Sequence, residues 1–184
     1  MRIIMDMDEV LVDFLNPLLA KHNERYNEKV TIDDLTEWEL PSKMKSIFCE
    51  PGFFLELPPA FGGIEGMQYL KREGHDVIIA TSPSESQFIA RDKLLWIKIL
   101  LPDFLDNLFI THRKQIIPGD IIVDDCPKYL KESIATHKIV MHRPYNQGIE
   151  GIRVRNWQEL LWAVDEIGES SDADDIRCLE STAT

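Results

Sequence analysis

The sequence is poor in cysteine, in basic residues and in long apolar runs. Cys49, Cys126 and Cys178 are its only cysteines, and no two stand in a C-x-x-C pair. An odd count without such pairing does not suggest a disulfide framework and fits a reducing compartment. Lys and Arg number 20 against 32 Asp and Glu, for a formal net charge of -12. That balance argues against a nucleic-acid polymer as partner, because such binding rests on basic side chains neutralising many phosphates. A small anionic ligand remains admissible if a metal ion or backbone N–H groups offset the repulsive field locally. The chain opens Met-Arg-Ile-Ile-Met-Asp, with an acid already at the sixth position. Nothing there reads as a signal peptide or a membrane span, so the cytoplasm is the expected location and no membrane partner is expected. No internal repeat is visible.

What is present is the composition of an ordinary soluble domain, 44% hydrophobic and 28% charged over 184 residues. This length supports one well-buried core with a small inserted cap. Short apolar runs at Arg2 to Asp6, Asp76 to Ala80, Leu108 to Ile110, Ile121 to Asp124 and His137 to Met141 read as strands. They alternate with helical spacing over Val12 to Tyr26, Gly63 to Lys71, Glu85 to Leu100, Lys128 to Ser133 and Trp157 to Ile167. The alternation predicts an α/β fold: a doubly wound, mostly parallel, Rossmann-like sheet. Residues 27–61 break the pattern, with Trp38, Phe48, Phe53, Phe54 and several prolines among acids, and read as a small cap inserted after the first strand and helix. The core is then residues 1–26 and 62–168. Residues 169–184, rich in Ser and Asp, read as a frayed, disordered tail.

Ligands of doubly wound sheets bind at the carboxyl ends of the strands. The first strand delivers Asp6 and Asp8 there, the second Thr81 and Ser82, and a later one Asp124 and Asp125. Four carboxylates brought together repel unless some protonate or a hard divalent cation sits among them, and magnesium suits such an oxygen-rich set. Each element alone has a plainer reading. An Asp pair or a Ser/Thr pair past a strand often caps the next helix or closes a turn, and Lys114 could be a solvated loop cation.

Taken in order, Asp6-Met7-Asp8-Glu9-Val10, Thr81-Ser82, Lys114 and Asp124-Asp125 resemble the haloacid dehalogenase superfamily of phosphohydrolases. Longer stretches narrow the likeness. Asp6 to Phe14, Phe53 to Leu57, Ala80 to Pro83, Pro102 to Leu105 and Ile122 to Pro127 are similar to 5'(3')-deoxyribonucleotidases. The resemblance implies a haloacid dehalogenase-type sheet and magnesium-dependent hydrolysis of deoxynucleoside monophosphates. It implies Asp6 as the nucleophile that forms an aspartyl-phosphate, and Asp8 as the acid that protonates the leaving oxygen and then activates water. It further implies metal binding by Asp6, Asp124 and the main-chain carbonyl of Asp8, with Asp125 acting one layer further out. Thr81, Ser82 and Lys114 are implied at the phosphoryl group, and Phe14, Trp38 and Phe54 around the base and sugar.

Several residues depart from the family pattern. Glu9 replaces a frequent glycine and is expected to add negative charge beside the metal. Ser84 and Glu85 stand for an apolar residue and a lysine, and His112 for an arginine. His22, His75, His137 and His142 are scattered and read as structural or solvated. Two other readings stay open: a same-fold phosphatase for another small phosphoester, and a catalytically weak nucleotide-binding protein. A homodimer is left open too.

Overall fold

The computed structural model describes residues 1–84 and 86–182, with side chains up to Ser170. Apolar runs without polar alternation form strands that are covered on both faces. In β1 (Arg2–Met5), Ile3, Ile4 and Met5 are fully buried, with Ile3 and Met5 in the larger core cluster and Ile4 in the smaller one opposite. The other strands are β2 (Asp76–Thr81), β3 (Leu108–Ile110), β4 (Ile121–Asp124), β5 (His137–Met141) and β6 (Ile152–Val154). All pair in parallel, in the order β3-β2-β1-β4-β5-β6. The order runs outward in both directions from β1 and β4, which makes the crevice above those two strands the switch point where a ligand fits.

Helices α1 (Leu15–Tyr26), α2 (Ser42–Phe48), α3 (Gly63–Arg72), α4 (Gln87–Leu100), α5 (Pro127–Glu132) and α6 (Trp157–Thr182) complete the fold. Helix α4 begins after Ser86, whose hydroxyl accepts from Phe88 N, while Glu85 lies outside the described residues. Gly66 allows α3 and α6 to meet: a Cβ there would stand 2.2 Å from Trp157 Cε3. Two differences from the sequence reading stand out. β6 went unseen, because Arg153 interrupts its short apolar run. The backbone of α6 also stays helical to Thr182 where a frayed tail was expected; beyond Gly168 no Gly or Pro interrupts it.

The segment 27–61 carries α2 and short 3-10 turns. Its end is tied to the turn before α1, since Asp13 N donates to Pro58 O at 3.0 Å and Ala60 N to Leu11 O at 2.8 Å. Trp96 Nε1 of α4 donates to Leu57 O at 2.8 Å, and the buried Asp92 accepts from Gly52 N at 2.7 Å. These bonds fix the segment against α4.

Candidate active site

Asp6 follows β1 directly, and its N–H still bonds Val123 O at 2.9 Å before the chain turns away. The turn is tight: Val10, Leu11 and Val12 all donate to Met7 O, and Glu9 takes the left-handed conformation at φ 58. Trp157 Nε1 holds it from behind through Val10 O at 2.8 Å. Asp6, Asp124 and Asp125, all buried, each bring a carboxylate oxygen within 4.8 Å of the others. Of the four acids expected together, the tips of β1 and β4 gather these three.

The Asp8 side chain points elsewhere. Its Oδ2 accepts from Lys93 Nζ at 2.6 Å, and the same ammonium donates to Thr81 Oγ1 at 2.8 Å and Ser82 O at 2.9 Å. Burial pushes the Asp8 carboxyl above its ordinary range; Lys93 pulls against this, while Asp6 adds to it. Lys114 is buried rather than solvated, with Nζ 2.5 Å from Asp6 Oδ1 and 2.7 Å from Asp124 Oδ2. Burial alone would lower the Lys114 pKa, but Asp124 and Asp6 beside it raise it. Asp124 is pushed up to about 7 by burial first and Asp6 next, against the pull of Lys114. Asp125 is raised well above its usual range by burial, then by Asp6 and Asp124.

An all-oxygen set with one spare oxygen fits a hard divalent cation. Asp125 Oδ1 is buried without a hydrogen-bond partner among the described residues, and Lys114 offsets only one of the three negative charges. Asp6, Asp124 and Asp125 are therefore suited to hold a divalent cation.

Next to this cluster lies a cavity of about 220 Å³ whose lining includes Asp8, Lys93, Phe14, Trp38, Phe54 and Tyr145. Phe14 stacks on Phe54 with centroids 5.5 Å apart, and Lys93 Nζ sits 4.7 Å above the Phe54 ring. Trp38 reaches in from the inserted segment, 5.3 Å from Tyr145. All three aromatic residues expected around the leaving group thus line one cavity. Ser82 lines it too, its hydroxyl 2.9 Å from Tyr129 OH, as does Ser84. His112 is exposed. His22 is buried against Glu28 at 2.8 Å, a structural role.

Glu9 corrects an expectation. It adds no free charge beside the metal: Oε1 accepts from Phe14 N at 2.8 Å and Leu15 N at 2.6 Å at the start of α1, and Oε2 pairs with Arg143 Nε. Helix N-termini and guanidinium groups both favour a carboxylate, so this one is spoken for. Reasoning from sequence missed three further residues. Lys93 was legible as a cation on the apolar stripe of α4 between Ile89 and Ile97. Arg143 and Tyr145, on the loop after β5, carry no periodic signal.

The fold has counterparts among solved structures. A haloacid dehalogenase family hydrolase from Deinococcus radiodurans R1, with phosphate and sodium bound, superposes at TM-score 0.58 and 11% identity, over 91% of this chain and 96% of that one. A D,D-heptose 1.7-bisphosphate phosphatase from B. bronchiseptica, complexed with magnesium and phosphate, superposes at TM-score 0.54 and 10% identity, over 90% and 98%. The chain thus shares the fold of haloacid dehalogenase-type hydrolases.

The family described as "5' nucleotidase, deoxy (Pyrimidine), cytosolic type C protein" matches residues 1–165, and the chain belongs to it. The cytosolic-type 5'(3')-deoxyribonucleotidase of Homo sapiens is 30% identical over 144 residues, 67% of this chain and 70% of that one. The protein is a phosphoric monoester hydrolase of the 5'-nucleotidase type. No helix among the described residues is long and apolar enough to cross a membrane.

Proposed function

We propose that the protein hydrolyses deoxynucleoside monophosphates to nucleoside and phosphate in the cytoplasm, with magnesium held by Asp6, Asp124 and the main-chain carbonyl of Asp8. The observation that carries this reading is the junction of a buried acidic cluster with an aromatic-walled cavity, with Asp8 and Lys93 between them. A planar base and sugar suit the faces of Phe14, Phe54 and Trp38. The ester phosphate then falls toward the Lys93 ammonium and the Thr81 hydroxyl, both within hydrogen-bonding reach of one another.

Asp6 attacks phosphorus, an Asp6 O–P bond forms and the ester P–O bond breaks. Asp8 gives its proton to the departing nucleoside oxygen. Water then attacks the aspartyl-phosphate, Asp8 takes a proton back, and phosphate leaves with Asp6 restored. Bound magnesium supplies charge neutralisation for the phosphoryl oxygens. Lys93 and Thr81 bind those oxygens from the side of β2, and Ser82 stands beside them. Lys114 keeps Asp6 and Asp124 compatible in one buried space.

Phosphate release should be measured across deoxynucleoside monophosphates, ribonucleotides and sugar phosphates. Deoxynucleoside monophosphates are expected to be preferred, with release lost in EDTA and reduced by at least about 10⁴-fold in Asp6→Asn, the scale set by loss of a covalent nucleophile. Equal rates on sugar phosphates would show instead a same-fold phosphatase of different substrate. Ligand binding with no turnover in the parent would show a nucleotide-binding protein.

A further inference from the structure

We propose that Tyr145 is a positioning residue with two separable tasks: its phenol orients Asp125 beside the metal-binding carboxylates, and its ring props the Trp38 wall of the leaving-group cavity. This deepens the function proposed above and rests on it. The phenol donates to Asp125 Oδ2, and the ring meets Trp38 nearly edge-on, at 74° with centroids 5.3 Å apart. The phenol is the partner for one oxygen of a buried carboxylate whose other oxygen, Oδ1, has none among the described residues. A carboxylate held at one oxygen is fixed in rotation and leaves the second aimed by that bond. Without the phenol, nothing described on the side chain sets that angle.

The loop carrying Tyr145 is anchored on both sides of it. Arg143 donates to Glu9 through Nε and, at 2.9 Å, through NH2 to Glu9 O. Asn146 Nδ2 donates to Asp125 O at 2.8 Å and to Met141 O at 2.9 Å, and is itself held by Arg153 of β6 at 2.7 Å. The backbone is therefore placed independently of the Tyr145 hydroxyl. That hydroxyl is free to serve Asp125, while the ring faces the covering segment. Trp38 is 44% exposed and sits on a stretch without regular structure, so a rigid ring behind it decides where the cavity ends.

The two tasks predict different kinetic signatures. Tyr145→Phe keeps the ring and removes the hydroxyl; Tyr145→Ala removes both. Thermal melting against Mg²⁺ concentration, without substrate, reads the metal site directly. Turnover of a deoxynucleoside monophosphate and of p-nitrophenyl phosphate reads the rest. For Tyr145→Phe, the Mg²⁺ concentration giving half-maximal stabilisation is expected to rise about 10-fold, the lower end for loss of an outer partner of a metal site. Its kcat should fall on both esters alike, with KM for the nucleotide within about twofold of the parent. Tyr145→Ala should add a rise in nucleotide KM that p-nitrophenyl phosphate does not show. If Tyr145→Phe matches the parent in Mg²⁺ midpoint and kcat, the positioning role is wrong even though the parent is an active phosphatase. A parent that neither responds to Mg²⁺ nor releases phosphate overturns the proposed function itself, and this inference with it.

Discussion

Lys114 shows how much a single buried charge can carry. Asp6 and Asp124 stand beside it with almost no exposure, and its ammonium touches both. Removing one member of such a set strands the others, at a cost of about 3–5 kcal/mol. Lys114→Met is therefore expected to melt well below the parent in EDTA. Part of the loss should return with Mg²⁺, because a divalent cation can take up the same stranded charge. Equal loss with and without Mg²⁺ would mean that the carboxylates do not form a cation site. Residue by residue, the sequence was most readable where acids follow apolar strands, as at Asp6 and Asp124. It was less readable at Lys93, since a lysine on a helix is ordinarily solvated. Only its position on the apolar stripe, near Trp96 and Ile97, betrayed its inward direction.

At the scale of elements, the turn after Asp6 is braced by contacts far apart in sequence. Trp157 opens α6, bonds Val10 O and packs on Gly66 of α3. Gly66→Ala is expected to destabilise by roughly 1–3 kcal/mol through overpacking against that indole, and to loosen the residue 7–12 turn. Melting temperature and kcat should fall together. A variant that melts like the parent would show that α3 and α6 can part without cost. Five strands were legible because each is an unbroken apolar run ending in turn residues. β6 was not: Arg153 interrupts the apolar run in Ile152-Arg153-Val154, and its purpose, to bring Arg153 against Asn146, appears only in three dimensions. Likewise the aromatic crowding in residues 27–61 set that segment apart from the core pattern, but did not show that Asp92 and Trp96 of α4 would hold it.

For the whole molecule, a net charge of -12 is at odds with an anionic substrate until the local charges are placed. Lys93, Lys114 and Arg143 each pair with an acid of the site or its turn, so the cavity is not a simple extension of the acidic surface. The topology makes this economical, since one crevice above β1 and β4 gathers residues from four strand ends and the covering segment. The role proposed for Asp6 is to carry the phosphoryl group. It is tested most directly by quenching the parent with borohydride during turnover of a deoxynucleoside monophosphate with Mg²⁺, then sequencing the peptide around residue 6 by mass spectrometry. Reduction of an acyl phosphate should convert Asp6 to homoserine, only when substrate and Mg²⁺ are both present. An unmodified Asp6 in an enzyme that is visibly releasing phosphate, or homoserine at another aspartate, would contradict it.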